Sequence, residues 1–146
     1  MELQLTQSQL LQPVLVLVVW TLIMWAWMLV TRVKAIIAMK MRLDSCAPRG
    51  EQMAKLPPEV RWKADNYNHL LEQPILFYVV VISLVILGVD SAVALYSAWA
   101  FTLLRVLHSI IQTSNNKIEL RFKVFVLSNI PLMILTIMAV FKVFVS

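Results

Sequence analysis

Apolar residues dominate four stretches of this chain, and each stretch is long enough to form a helix rather than a strand. The first spans about 10–39 and is almost wholly apolar from Val14 to Val30. At a rise of about 1.5 Å per residue, a helix of that length crosses a hydrocarbon layer of roughly 30 Å. Pro13 stands near its start, where a missing N–H costs little. Trp25 and Trp27 lie toward an interface, and Arg32 and Lys34 close the span on stems that carry their charges to the headgroups.

From about 43 to 57 the pattern breaks up, with Asp44, Ser45, Pro48, Gly50 and Pro57 as turn or breaker residues. Pro58 followed by Glu59 is a favourable helix start, so the second helix is expected over about 58–87, polar in its first four turns and apolar afterwards. Gly88, Asp90 and Ser91 mark a short turn. A third helix follows over about 91–113, with Ala92, Ala94, Ser97, Ala98 and Ala100 small enough for close helix approach. After the polar turn at Ser114, Asn115 and Asn116, the fourth covers about 117–145. A kink is expected in it at Pro131, which removes a donor and crowds the carbonyl of Leu127.

Composition decides where such helices live. The 146 residues are 60% hydrophobic and 14% charged, far from the balance of a soluble domain. The expected fold is an all-α membrane protein: one domain, 1–146, forming a bundle of four transmembrane helices in a lipid bilayer.

The net charge of +5 does not point to nucleic acid. Eight of the thirteen basic residues fall between Arg32 and Lys63, and Lys117, Arg121 and Lys123 cluster before the last run. The positive-inside bias then makes the 43–57 loop cytoplasmic and leaves both termini on the other side. Cys46 is the only cysteine, which excludes an intrachain disulfide or a multi-cysteine metal site. The first run carries no small-residue cleavage pattern, so it is expected to stay as an anchor. The absence of targeting signals fits a bacterial inner membrane.

Polar residues inside the spans carry the chemistry. Arg61, Asp65, Asn68 and Glu72 recur at helical spacing with His69 beside them, forming a polar stripe on the second helix. A solvated extension held by an Arg61–Asp65 pair explains its first two turns, but Glu72 borders the apolar run Pro74–Leu87. A carboxylate there needs a partner or water, which makes it a candidate functional group. The third helix carries Arg105, His108 and Gln112 at i, i+3 and i+7, and the fourth begins with Arg121, continued on the same face by Phe125 and Ser128. These residues form either an ion-pair network, Glu72 with Arg105 or Arg121, or a cationic cavity for an anionic ligand. Two glycines cannot build a phosphate loop or a dinucleotide fingerprint. His69, Glu72 and His108 lack the spacing of a zinc site, and no metal is expected.

NYNHLLEQPILF on the second helix, RVLHS on the third and Arg121 nine residues past Gln112 resemble the MAPEG family, the membrane-associated proteins in eicosanoid and glutathione metabolism. The resemblance runs from about Thr31 to the end of the chain. It implies a homotrimer that binds glutathione between subunits as co-substrate and acts as a transferase or peroxidase on a lipophilic small molecule. Arg121 matches the arginine that stabilises the thiolate. Arg32, Lys34, Asn68, His69, Glu72, Arg105, His108 and Gln112 are the implied glutathione-binding positions. The chain departs from the family's better-studied enzymes at Asp65 and Asn68, where arginines are usual, and at Gln112 and Phe125, where tyrosines are usual. Those departures leave open a non-catalytic protein of the same fold that acts as a scaffold or binds another anionic ligand.

Overall fold

The structure, a computed structural model, describes residues 2–145. It is all-helical among those residues: α1 (Glu2–Ala38), α2 (Glu51–Ala54), α3 (Pro58–Leu70), α4 (Gln73–Ile86), α5 (Ala92–Ser114) and α6 (Ile118–Phe144). Four segments, Gln9–Ala38, Pro58–Ile86, Ala92–Ser114 and Ile118–Phe144, are long and apolar enough to cross a membrane. Large apolar side chains such as Leu22, Ile86, Ile137 and Phe144 point outward, as a lipid-facing surface allows.

α5 is the centre of the bundle. It packs most extensively on α6 and also contacts α1 and α3. Ala94, Ser97 and Ala98 are all buried, so their small side chains let neighbouring backbones come close. Phe101 stacks on Phe77 of α4 at 4.4 Å between ring centroids, and Leu17, Val81, Leu84 and Leu135 close around the pair. Such a ring pair contributes about 0.5–1.5 kcal/mol beyond its buried area.

The helix ends follow local chemistry. At Gly88, φ is 64°, and Gly88 N–H bonds Val85 O while Val89 N–H bonds Leu84 O, a double bond pattern that ends α4 in a left-handed residue. Lys40, with φ 49°, ends α1 in the same way through the Lys40–Ile37 and Met41–Ile36 bonds.

The second span is not the continuous helix expected from its pattern. It breaks at Leu71 and Glu72, and Glu72 adopts φ −92° and ψ −90°, outside helical values. Pro74 explains the break, since it cannot donate to the carbonyl of Leu70. By contrast, α6 continues as one helix through Pro131. Between α1 and α3 the connecting loop holds the short helix α2.

Candidate functional site

The break in the second span sits beside the C-terminal turns of α5 and the first turns of α6, and polar side chains gather there. Asp65, Asn68, His69, Glu72, Gln112 and Arg121 line a cleft of about 250 Å³. A second, more apolar cleft of about 200 Å³ adjoins it, lined by His69, His108, Ile118, Arg121, Phe122 and Phe125. His69 and Arg121 belong to both. On the loop side, Asp65 and Asn68 also border a cleft of about 340 Å³ that includes Arg32 and Arg61. Together the three form a trough with arginines at its two ends and carboxylates between them.

Each side chain has a positional cause. His69 and Glu72 flank the helix break, and His69 Nδ1 lies 3.2 Å from Glu72 Oε2. His69 is the only basic side chain within 4.0 Å of the Glu72 carboxylate among the described residues, so the expected pairing with Arg105 or Arg121 is not formed. Nor is the cleft the cationic cavity expected from the sequence, because Asp65 and Glu72 face the single guanidinium of Arg121 there.

Arg121 is oriented by the turn that precedes its helix. Asn116, at φ 48°, takes the left-handed conformation that asparagine tolerates, and its Oδ1 accepts a 2.7 Å hydrogen bond from Arg121 Nη1. Gln112 is 1% exposed, and neither its Nε2 nor its Oε1 has a hydrogen-bond partner. A buried amide left unpaired at both ends costs about 1 kcal/mol or more, and because Gln112 lines the cleft its two polar atoms are open to whatever occupies that cleft, water included. His108 is buried, with its ring 6.0 Å from that of His69 and 6.1 Å from that of Phe125.

Arg105 does not line the cleft; it lies behind it, fully buried. Its Nη2 donates to the backbone carbonyl of His69 at 2.7 Å and its Nη1 to Gln73 Oε1 at 3.4 Å. Gln73 in turn donates to Asn129 Oδ1, and Asn129 to the carbonyl of Phe125 at 2.9 Å. Arg32 lies at the loop end of the trough, where its Nε is buried without a partner. Lys34 is exposed and lines none of the three clefts.

The structure therefore brings five of the nine candidates, Asn68, His69, Glu72, Gln112 and Arg121, around one cleft, with His108 next door and Arg32 beyond. Helical spacing also places Asp65 on the same stripe as Asn68 and Glu72, without a role of its own. Asn116 is not singled out by the sequence, because its role depends on a turn conformation.

Four helices long and apolar enough to cross a membrane define a multi-pass integral membrane protein, with an open polar cleft beside the break in its second span. The chain belongs to the MAPEG family, whose model matches residues 10–141, nearly its whole length. Comparisons with curated proteins and with solved structures found no match.

Proposed function

We propose that this protein assembles as a homotrimer, holds glutathione in the trough and uses its thiolate on a lipophilic electrophile or hydroperoxide. The observation that carries the reading is the position of Arg121, shared by the polar and the apolar cleft. A peptide placed in the polar cleft would put its thiol at that guanidinium, and an apolar co-substrate arriving from the lipid would meet it on the other side.

The charge pattern fits a tripeptide with one ammonium and two carboxylates. Glu72 and Asp65 suit the ammonium, Arg32 and Arg61 suit a carboxylate, and the Gln112 amide offers a donor and an acceptor to a peptide group. Lowering a thiol pKa from about 8.5 toward 7 takes roughly 2 kcal/mol, within reach of one guanidinium in a partly dry site. The first turn of α6 adds a dipole that favours the same anion. The thiolate then forms a C–S bond while the leaving group departs with its electron pair. With a hydroperoxide, it takes the terminal oxygen and releases the alcohol, and a second glutathione resolves the oxidised sulfur as the disulfide.

Glu72 also supports the trimer. Its side chain is 67% exposed in a single chain, yet it lies within a membrane-spanning segment, where an uncovered carboxylate is costly. A neighbouring subunit over the trough would cover it. The trough would open to the cytoplasm, with both termini on the opposite side.

The test is thermal unfolding of the purified protein with and without millimolar glutathione and S-hexyl glutathione, beside Arg121→Ala. A ligand at about 100 times its dissociation constant stabilises by roughly 2.7 kcal/mol. Stabilisation that disappears in Arg121→Ala supports the reading. An intact trimer that responds to neither ligand removes it in favour of a scaffold or a binder of another anion, a reading that the departures at Gln112 and Phe125 favour.

A further inference from the structure

An uninterrupted helix through the second span would give the carbonyl of His69 the N–H of Gln73 as its partner and the carbonyl of Leu70 the N–H of residue 74. Pro74 has no N–H, and the chain between Leu71 and Glu72 leaves the helix. The vacated carbonyl of His69 is taken instead by Arg105 Nη2, at 2.7 Å. Arg105 is thereby spent inside the protein, with no exposed surface to offer a ligand. Its guanidinium plane faces Phe125 at 5.7 Å, and Gln73 anchors its other arm.

We propose that Arg105 is a positioning residue: it caps the broken end of α3 and so fixes His69 and Glu72 toward the cleft, without touching what binds there. A cation at the C-terminus of a helix is favoured by the helix dipole, and a charge-assisted bond to a backbone carbonyl holds the broken end more firmly than a neutral one. The break matters because it turns the chain at the point where His69 and Glu72 face each other across 3.2 Å. Proline takes the donor from the carbonyl of Leu70 and turns the chain out of the helix, which also parts the carbonyl of His69 from Gln73 N–H, and arginine supplies the partner that this second carbonyl loses. This assignment rests on the cleft being the ligand site only for its consequence; the capping role stands on the geometry alone.

The test is a double-mutant cycle in the full-length protein, Arg105→Met and Pro74→Ala singly and together. Thermal unfolding gives the first readout. Arg105→Met should lower the midpoint in the native background, and by less than about half as much when Pro74→Ala lets residue 73 bond the His69 carbonyl again. Equal losses in both backgrounds overturn the proposal. The second readout is the ¹⁵N side-chain spectrum of the two histidines, assigned with His108→Gln. The His69 ring signals should move in Arg105→Met and in Pro74→Ala, and return toward native in Arg105→Lys, which keeps a cationic donor. Unmoved signals would mean that the cap does not position His69. If Arg105→Met does not assemble, Arg105→Gln, which removes the cation and shortens the side chain, carries the same cycle, with Arg105→Lys as its rescue. Neither readout contains glutathione, so a protein that fails to bind it loses the function proposed above while the cycle still decides the role of Arg105.

Discussion

The indole Nε1 of Trp20 donates to Oγ of Ser109 at 3.0 Å. The same hydroxyl accepts Nδ2 of Asn66 at 2.7 Å, so one serine ties α1, α3 and α5 together. Ser109 and Asn66 are both fully buried, and Asn66 presents its side chain to the bundle while its neighbours Asp65 and Asn68 face the cleft. Ser109→Ala strands two donors in a nearly dry interior. The expected loss is about 1–3 kcal/mol, toward the lower end because the unfolded chain in a membrane also finds partners. Equilibrium unfolding in mixed detergent micelles measures it, and a loss no larger than that of an exposed Ser83→Ala control would show the network to be idle.

On the function proposed above, Glu72→Ala should leave a folded trimer that no longer responds to glutathione. Its contact with His69 is more than one-third exposed on both sides and contributes under about 1 kcal/mol. Size-exclusion chromatography and ligand-induced thermal shift read the two properties separately. If the variant fails to assemble, Glu72 is a structural partner at the subunit boundary rather than a ligand for an ammonium group.

Gln112→Leu separates stability from binding in the opposite direction. Replacing an amide whose two polar atoms are buried and unpaired should stabilise the ligand-free protein by about 1 kcal/mol. The same change should weaken S-hexyl glutathione by about tenfold or more, the equivalent of roughly 1.4 kcal/mol. A destabilised Gln112→Leu protein would mean that the amide has a partner in the assembled trimer, a second subunit in place of a ligand.

Asn116→Gly keeps the left-handed turn, since glycine adopts φ 48° freely, and removes the oxygen that orients Arg121. Thermal stability should hardly change, while kcat/KM with a chloronitrobenzene and glutathione should fall by about tenfold, the worth of one charge-assisted hydrogen bond. An unchanged rate would indicate that Arg121 finds its place without the turn.

Gly88→Ala probes the close of α4. At φ 64° a Cβ costs roughly 1–2 kcal/mol, whatever surrounds it. Denaturant unfolding should show that loss with no change in ligand response, because Gly88 lies at the opposite end of α4 from the break.

The four spans were legible along the chain because lipid imposes a one-dimensional requirement: about twenty apolar residues in a row, whatever they pack against. Val14–Val30 comes close to it without reference to any neighbour, whereas Pro74–Leu87 is shorter and reaches it only together with the polar turns that precede it. Helical spacing alone also put Asp65, Asn68 and Glu72 on one stripe, and Arg105, His108 and Gln112 on another. What spacing could not say was how far into the protein each stripe reaches. Arg105 and Gln112 are seven residues apart on one face, yet one backs the helix break and the other lines the cleft, because the axis of α3 ends between them. Two prolines within apolar runs look alike in the sequence, but α6 continues through Pro131, while Pro74 falls where a buried arginine can take over the carbonyl that an interruption frees. Hydrophobic length and periodicity belong to the chain itself. Which polar group is spent on another helix, and which is left facing a cavity, depends on partners many residues away, and only the packed bundle decides it.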